Sequence, residues 1–359
     1  MKILFFIEGL QAGGKERRLV ELVKGLSNHV DLEMELVLTK EEIHYKEIYS
    51  TDIKVHFTPR RHLKKDPKIF FKFYKIAKKF KPDIIHVWGN LPAIYAIPAK
   101  VLLKIPMINN QITSAPISIS KSLLGHKLPF LFSDRIIANS YAGLKSFNAP
   151  KNKSGVIYNG FDFNRIKNLK EKDLIRKEFN INTKYVIGMV ASFTEKKDYN
   201  SYIKAANLIL KEEKDITFLC IGAGEFSQFK KMVKPENKDK ILFLGKQENV
   251  ESIMNICSIG VLATFTEGIS NSLLEFMALE KPVVVTGEGG CSELILNDKN
   301  GFLLDVGDFQ GIVSKILYLL ENENRLNEFG RMSGKIVIDK FNITKMIDKF
   351  KALYNEIAN

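Results

Sequence analysis

The sequence predicts an α/β protein with two domains, each built on a parallel sheet. Short β-branched segments alternate with helical patterns along the chain, and turn residues end each segment. The length of 359 residues is also more than one average domain needs. Open parallel sheets bind ligands beyond the carboxyl ends of their strands. We therefore expect functional residues directly after strands, in a cleft between the domains.

Thirteen segments are predicted as strands because they are short, rich in β-branched residues and bounded by turns. Those of the first half are Lys2–Ile7, Leu32–Leu38, Lys54–Phe57, Asp83–Val87, Met107–Asn110, Arg135–Ala138 and Val156–Ile157. Those of the second half are Tyr185–Val190, Ile216–Ile221, Ile241–Leu244, Ile259–Ala263, Pro282–Val285 and Gly301–Leu304. The predicted domains are residues 1–162 and 163–344, and a last helix within 345–359 is expected to pack back on the first domain.

The net charge of +13 lies in the first half of the chain. Residues 1–160 contain 26 Lys and Arg against 13 Asp and Glu, whereas residues 161–359 contain 28 of each kind. This asymmetry predicts that the first domain meets an anionic partner. It also supports a domain boundary near residue 160.

The segment Arg60–Lys81 contains ten basic residues and one acid, Asp66. Its pattern predicts a helix over Pro67–Phe80 with a lysine stripe and an opposite apolar face that packs on the sheet. The lysines would face outward, so contact with an anionic membrane surface is expected. The aromatic side chains lie opposite the lysines, which speaks against base stacking and hence against nucleic acid as a partner.

Cysteine usage and hydropathy indicate the cellular compartment. Cys220, Cys257 and Cys291 are far apart and lack metal-ligand spacing, so reduced core thiols and no metal site are expected. No apolar run reaches the roughly 18 residues of a membrane span, and the start of the chain has no cleavage pattern of a signal peptide. These features favour the cytoplasm, with peripheral contact to the inner face of the plasma membrane.

Glycines follow two of the predicted strands. Gly13 and Gly14 open a helix after the first strand, where paired glycines allow a ligand close to the backbone and a helix start favours anions. An ordinary tight turn is the alternative. Gly222 and Gly224 follow Ile216–Ile221, but Ser227 stands where a dinucleotide fingerprint needs its third glycine, which disfavours an NAD-dependent enzyme.

Two polar turns carry candidate ligand-binding side chains. After Tyr185–Val190, Lys196 and Lys197 lie where a phosphate could be met, with solvated loop lysines as the alternative. The stretch "TFTEGISNSLLE" places Ser270 as the N-cap of a helix over Asn271–Leu279. The first-turn amides of that helix suit a diphosphate.

Two carboxylates bracket this turn. Glu267 and Glu275 are suited to accept hydrogen bonds from sugar hydroxyls on either side of a diphosphate. A surface helix with two solvated glutamates is the alternative.

With these residues in place, the chain resembles a retaining glycosyltransferase of family 4, with the GT-B fold of two Rossmann-like domains whose parallel sheets face an interdomain cleft. The segment "EGISNSLLEFMALEKPVVVTGEGGCSELI" is similar to the donor-site block of that family, with its Glu-x7-Glu pattern on Glu267 and Glu275. The segment "VIYNGFDFNRI" resembles the hinge of the family, and Gly13 and Gly14 match its glycine loop.

The resemblance implies an acceptor in the first domain and a nucleotide-sugar in the second, with UDP-sugars favoured over GDP-sugars. Glu267 and Lys197 would be the catalytic residues, and neither a metal nor a cofactor would be required. The implied donor-binding residues are Gly13, Gly14, Lys196, Gly222, Gly268, Ile269, Ser270, Asn271, Ser272 and Glu275. The acceptor would be a glycan or lipid-linked oligosaccharide of bacterial cell-surface polysaccharide or glycolipid synthesis.

This sequence departs from the family pattern at two functional positions. Ser192 and Thr194 stand where the family usually has an arginine, so Lys197 would carry more of the leaving-group charge. The usual acceptor-side histidine after Met107–Asn110 is also missing. The candidate acceptor-side residues are His86, Asn110, Gln111 and His126, of which His126 lies far along the chain for such a substitution.

Two alternatives to a glycosyltransferase stay open at this point. One is a nucleotide-sugar epimerase of the same architecture, which would make product without an acceptor. The other is a non-enzymatic basic protein that binds membrane or nucleic acid, with steeply salt-dependent binding and no need for Glu267.

Overall fold

The computed structural model describes residues 1–60, 66–111 and 121–358; at 111, 121–126 and 288 it describes the backbone alone. The chain forms two compact units. Unit 1 is Met1–Gly160 together with Ile343–Asn359, and unit 2 is Phe161–Asn342. These boundaries lie two residues before the predicted ones at 162 and 344.

The described part of unit 1 forms a seven-stranded parallel sheet with the order β3-β2-β1-β4-β5-β6-β7. Its strands are β1 (Lys2–Ile7), β2 (Glu33–Leu38), β3 (Lys54–Phe57), β4 (Ile84–Trp88), β5 (Met107–Gln111), β6 (Arg135–Ala138) and β7 (Ser154–Val156). Its helices are α1 (Gly14–Ser27), α2 (Lys68–Phe80), α3 (Asn90–Leu103), α4 (Lys121–Phe132), α5 (Tyr141–Ser146) and α13 (Ile343–Ala358). The predicted strands of this half recur within two residues.

The two faces of this sheet carry different helices. On one face, α2 buries Ile69, Phe73, Ala77 and Phe80 against the sheet, as the apolar stripe of its sequence predicts. On the other face, α1 and α13 enclose a second cluster of buried residues. The sheet is therefore covered on both sides, as parallel sheets require.

The last helix completes the core of unit 1. Helix α13 buries Phe350 and Tyr354 beside β4, and its Tyr354 hydroxyl lies 2.8 Å from Nδ1 of His86. The Arg18 guanidinium lies 5.6 Å from the Trp88 ring and 5.4 Å from the Phe350 ring. Burial lowers the pKa of Arg18 to about 9. A buried cation held by aromatic faces thus joins α1 to α13.

The described part of unit 2 forms a six-stranded parallel sheet with the order β10-β9-β8-β11-β12-β13. Its strands are β8 (Tyr185–Val190), β9 (Ile216–Ile221), β10 (Ile241–Gly245), β11 (Ile259–Glu267), β12 (Val283–Gly289) and β13 (Gly301–Leu304). Its helices are α6 (Lys172–Glu178), α7 (Tyr199–Glu212), α8 (Ser227–Lys230), α9 (Val250–Asn255), α10 (Asn271–Ala278), α11 (Phe309–Glu321) and α12 (Glu323–Lys340). Two parallel α/β units confirm the predicted fold class.

Helix α10 is seated close to the middle of this sheet. A side chain at Gly188 would meet the Phe276 ring at 3.1 Å, and one at Gly260 would overlap the same ring. Because β8 and β11 are bare at these points, Phe276 packs directly on the backbone. This contact fixes where the N-terminus of α10 lies at the carboxyl edge of the sheet.

Within the described ranges, no helix combines the length and the apolar character that crossing a membrane requires.

Candidate active site

The loop between β8 and α7 is tied to the end of β11. The Asp198 amide donates to the Ala263 carbonyl at 3.0 Å, and the Phe265 amide donates to the Lys196 carbonyl at 3.1 Å. The Thr264 hydroxyl also donates to the Lys196 carbonyl, at 3.0 Å. These bonds hold Lys196 and Lys197 against the strand that ends at Glu267.

This arrangement brings Lys197 and Glu267 together. The Lys197 ammonium forms an ion pair with Oε2 of Glu267. The lysine side chain is 13% exposed and the glutamate side chain 29% exposed. Burial lowers the pKa of Lys197 to about 8, and the neighbouring Lys196 adds to that lowering. Near neutral pH the site therefore presents one charged, poorly hydrated ammonium.

A buried thiol lies next to this ammonium. Cys291 is fully buried, and its thiol lies 3.8 Å from the carbonyl oxygen of Gly268. Burial raises the pKa of Cys291 to about 12, while Lys197 works against that rise. Cys291 is therefore a neutral neighbour of Lys197 over the physiological pH range.

The N-terminus of α10 follows β11 after three residues, Gly268, Ile269 and Ser270. The Ser270 hydroxyl accepts from the Leu273 amide, which confirms the predicted N-cap. It also lies 3.0 Å from the Ser272 hydroxyl. The positive end of the helix dipole thus lies a few residues from Glu267, at the edge where ligands of such sheets bind.

Gly290 allows the loop after β12 to lie against the turn before α10. A side chain at this position would approach the Gly268 carbonyl carbon to 2.6 Å and the Ile269 amide nitrogen to 2.9 Å. The two loops can therefore touch through their backbones only. The predicted donor residue Gly222 has a similar structural reason, because a side chain there would overlap the Ala191 backbone.

Glu275 is held by an arginine. Its Oε1 lies 2.6 Å from Nη2 of Arg165, and Nε of Arg165 donates to Oε1 of Glu251 at 2.9 Å. The side chains of Arg165 and Glu275 are 15% and 9% exposed. One cation therefore pairs with two partly buried carboxylates and fixes the direction of Glu275 on α10.

Arg165 and Glu251 were not predicted as site residues from the sequence, and Cys291 was predicted only as a reduced core thiol, which its buried free thiol confirms. Arg165 stands in the quoted segment "VIYNGFDFNRI", and 110 positions separate it from Glu275. No local spacing indicates such a pair. The only hint in the sequence is that Arg165 lies in a short polar turn that precedes the block of candidate donor residues.

The glycine loop of unit 1, Gly13 and Gly14, forms the N-terminal end of helix α1. Gly13 occupies the N-cap of α1 in an extended conformation, and Gly14 is the first residue of the helix. The Gly13 carbonyl accepts from the Tyr45 hydroxyl at 3.1 Å and from the Arg17 amide at 3.0 Å. The helix start that the sequence predicts is therefore present, while a role of these glycines in donor binding stays a prediction.

Two of the four predicted acceptor-side residues have described side chains, and both of those side chains are buried. The prediction that His86 faces an acceptor is wrong, because its ring is fully buried beneath α13 and lies against Tyr354. Burial also lowers the pKa of His86, so the ring is neutral. Asn110, at the end of β5, is likewise fully buried. The side chains of Gln111 and His126 lie outside the described residues, so their predicted roles are untested.

Among the residues that the structure describes, no group of three or more His, Cys, Asp or Glu side chains could hold a metal ion.

Two family models match the chain. Residues 12–165 match the model described as Glycosyltransferase Family 4, and residues 171–335 match the model described as Glycosyl transferases group 1. Between them the models span both units. The chain is a family 4 type glycosyltransferase. This membership favours a transferase over the epimerase and the non-enzymatic binding protein.

Curated relatives are similar over most of their length. N-acetyl-alpha-D-glucosaminyl L-malate synthase of Bacillus anthracis is 26% identical over 326 residues, which cover 87% of this chain and 85% of that protein. UDP-Gal:alpha-D-GlcNAc-diphosphoundecaprenol alpha-1,3-galactosyltransferase of Escherichia coli is 24% identical over 316 residues, covering 82% of this chain and 80% of that protein.

Solved structures show the same fold. HepE of Anabaena, in complex with UDP and glucose, aligns with a TM-score of 0.87 at 19% identity and covers 99% of both chains. Sucrose-phosphate synthase of Thermosynechococcus elongatus aligns with a TM-score of 0.83 at 15% identity, again over 99% of both chains. This glycosyltransferase therefore has the GT-B fold.

Proposed function

We propose that this glycosyltransferase moves a sugar from a nucleotide-sugar donor, with UDP favoured, to a hydroxyl of a glycan or lipid-linked acceptor, and that it retains the anomeric configuration. The proposal rests on the groups that lie together at the carboxyl edge of the sheet in unit 2. There, one sheet edge holds the Lys197 ammonium, the N-terminus of α10 and the Glu267 carboxylate. A cation and a helix N-terminus suit a diphosphate, and a carboxylate suits sugar hydroxyls.

The names of similar proteins support the donor and the acceptor class. HepE was solved with UDP and with UDP-glucose. The E. coli relative takes UDP-Gal and a diphosphoundecaprenol-linked sugar by name, and a Campylobacter jejuni relative, 25% identical, is named for a diphospho-undecaprenol acceptor. We therefore place this enzyme in bacterial cell-surface polysaccharide or glycolipid synthesis.

Leaving-group stabilisation is the main task in this mechanism. When the bond from the anomeric carbon to the diphosphate oxygen breaks, negative charge builds on that oxygen. Lys197 and the N-terminus of α10 meet this charge with groups that are already in place, which lowers the barrier without reorganisation. Lys196 adds positive charge nearby, so the mechanism needs no metal to neutralise the leaving group.

Glu267 holds the donor sugar in this proposal. Its ion pair with Lys197 must open when the diphosphate takes the ammonium, and the freed carboxylate then accepts from sugar hydroxyls. The acceptor hydroxyl attacks from the face that the diphosphate leaves, and the leaving phosphate oxygen takes its proton. Retention follows because bond making and bond breaking occur on the same face of the sugar.

Glu275 fixes the nucleoside in this proposal. Arg165 orients its carboxylate, which leaves acceptor capacity for the ribose hydroxyls. The nucleoside would then lie on one side of the N-terminus of α10, and the sugar on the side of Glu267.

The test is transfer by Glu267→Ala measured beside Glu213→Gln, which alters an exposed glutamate after the far end of α7. We expect Glu267→Ala to lose transfer while its far-UV circular dichroism stays that of the folded wild type, and Glu213→Gln to keep transfer. Undiminished transfer by Glu267→Ala would overturn the site.

A thermal-shift screen with UDP-, GDP-, ADP- and CMP-sugars identifies the donor class. We expect stabilisation by the UDP-sugars. Stabilisation by none of the four would refute the proposed donor site, and stabilisation by another nucleotide would correct the base. Proton NMR of the first product formed reports the anomeric configuration, and an inverted product would refute retention.

A further inference from the structure

A cavity of about 420 Å³ lies in unit 2, at the sheet edge opposite to the candidate donor site. Its wall includes Ser258 and Pro282, which directly precede β11 and β12, so the cavity lies at the amino edge of the parallel sheet. Strand β11 has nine residues and ends at Glu267. Nine strand residues span about 25 Å. The cavity, which we call the amino-edge cavity, is therefore separate from the groups proposed to hold the donor.

Four cationic side chains from three segments line the amino-edge cavity. They are Lys172 and Arg176 of α6, Lys281 of the turn between α10 and β12, and Arg331 of α12. Glu280 is the only acid among the described residues of its wall. Within the described part of the chain, none of these four cations forms an ion pair. Cations that are collected in one cavity without counter-charges indicate a site for an anion.

Lys281 is the cation that gains most from an anion. Its ammonium donates to the Asn255 carbonyl, at the end of α9, at 2.9 Å. An ammonium has three donors, so this bond leaves capacity for a ligand. Burial lowers the pKa of Lys281 to about 8, and the charge of Lys172 adds to that lowering. A poorly hydrated cation next to a like charge is stabilised when an anion enters the cavity.

Stabilisation of the fold explains one of the other three cations. Nη1 of Arg176 donates to the Thr183 carbonyl at 2.7 Å, and Nη2 donates to the Lys184 carbonyl at 3.3 Å, which ties α6 to the start of β8. By contrast, Lys172 and Arg331 are exposed. Their side chains make no hydrogen bond within the described ranges. The fold therefore gives no reason for positive charge at these two positions.

The lining also decides which kind of anion fits. Among the described residues of the wall there is no aromatic side chain, so a nucleobase would find no ring to stack on. The neutral polar side chains of Asn255, Ser258 and Asn327 offer hydrogen bonds to phosphate oxygens or to sugar hydroxyls. Four positive charges match a group that carries more than one negative charge, such as a phosphate monoester or a diphosphate.

We propose that the amino-edge cavity binds a small phosphate-bearing anion that has no nucleobase. Lys281 and Arg176 contact it from the half-buried wall, and Lys172 and Arg331 contact it from the exposed rim. The proposal goes beyond the proposed function, because it uses no residue of the candidate donor site.

Net charge in the sequence did not indicate this cavity. Residues 161–359 contain equal numbers of basic and acidic residues, so an anionic partner was expected at the first half of the chain. Contact of Arg60–Lys81 with a membrane stays a prediction, and residues 61–65 of that segment lie outside the described residues. The cavity gathers cations that are far apart in the chain, which a count along the sequence does not show.

Calorimetric titration with inorganic diphosphate at constant ionic strength tests the proposal. The titrated protein is the full chain with Lys197→Met, in which the donor-site ammonium is gone. We expect saturable binding of one diphosphate per chain. Adding Lys281→Met should weaken this binding at least about tenfold, because a charge-assisted contact is lost. Methionine keeps the length of the side chain and removes the buried charge, so the melting temperature should not fall.

A second variant removes charge from the rim alone. Lys172→Ala with Arg331→Ala, in the same Lys197→Met chain, should weaken diphosphate binding about tenfold without a change in melting temperature. The matched control, Lys230→Ala with Lys231→Ala, removes two exposed lysines of unit 2 outside the cavity and should leave binding unchanged. Inorganic phosphate and glucose 1-phosphate, titrated in the same way, distinguish a free phosphate from a sugar phosphate as the source of the anion.

Three results would overturn the proposal. One is the absence of saturable diphosphate binding by the Lys197→Met chain. Another is an affinity that neither Lys281→Met nor the rim variant lowers, since the diphosphate would then lie elsewhere. The third is a loss of affinity in the control that equals the loss in the cavity variants. Sugar transfer is not measured in these titrations, so their outcome is independent of the proposed reaction.

Discussion

We expect the affinity of this enzyme for UDP to fall as Lys197 loses its proton. In the free enzyme, burial and Lys196 lower the pKa of Lys197 to about 8. The charged lysine is thus present below pH 8 and lost above it. With this pKa, about nine tenths of the enzyme carries the charge at pH 7 and about one tenth at pH 9. The diphosphate of UDP is almost fully ionised over this range. Its dissociation constant should therefore rise about tenfold between pH 7 and pH 9.

Titration calorimetry from pH 6.5 to 9.5 checks this expectation, with two buffers of different ionisation enthalpy to count the protons. Binding should take up about one proton above pH 8, because the diphosphate raises the pKa of Lys197 again. The pH at which the affinity begins to fall is called the break here. Lys196→Ala removes a like charge and should move this break to higher pH. Lys197→Arg should abolish the break, since arginine stays charged. The reasoning is refuted by a constant affinity of wild type over this range, or by an unchanged break in Lys197→Arg.

Two further predictions concern the supports of the site. Arg165→Met leaves the carboxylates of Glu251 and Glu275 partly buried without their cation, so the free energy of unfolding should fall by about 3 kcal/mol in urea denaturation. Adding Glu251→Gln should restore part of that loss, and a stable Arg165→Met would contradict the pairing. Gly290→Ala should push the turn before α10 and weaken UDP binding at least about tenfold. Its control is Gly155→Ala, where an added side chain would meet only the Ile137 side chain, at 3.7 Å.

Local patterns in the sequence predicted the strands well, and the exceptions have a physical reason. The apolar pattern of β11 ends at Ala263, yet the strand continues to Glu267. Its polar end is a strand because Thr266 and Glu267 pair with Glu288 and Gly289 of β12. Pairing of this kind depends on the neighbouring strand and leaves no apolar signal in the segment itself.

Contacts between distant segments explain what the sequence did not predict in the site. The turn at Ser270 could be predicted because an N-cap and an amphipathic helix are local features. His86 follows the pattern of a strand, and its place in the core depends on Tyr354, which is 268 positions away. The same holds for the pair of Arg165 and Glu275. A single sequence does not show which distant side chain buries a given residue or pairs with its charge.

The path of the chain sets the order in which the protein can be completed during synthesis. Unit 1 needs α13, which follows all of unit 2 in the chain. The two crossing points are adjacent, since the Phe161 amide donates to the Phe341 carbonyl at 2.7 Å. The ribosome therefore synthesises every residue of unit 2 before it synthesises α13, the helix that closes the core around His86. Until then the apolar face that α13 covers is open to chaperones, and the half of the protein that is made first is the half that is finished last.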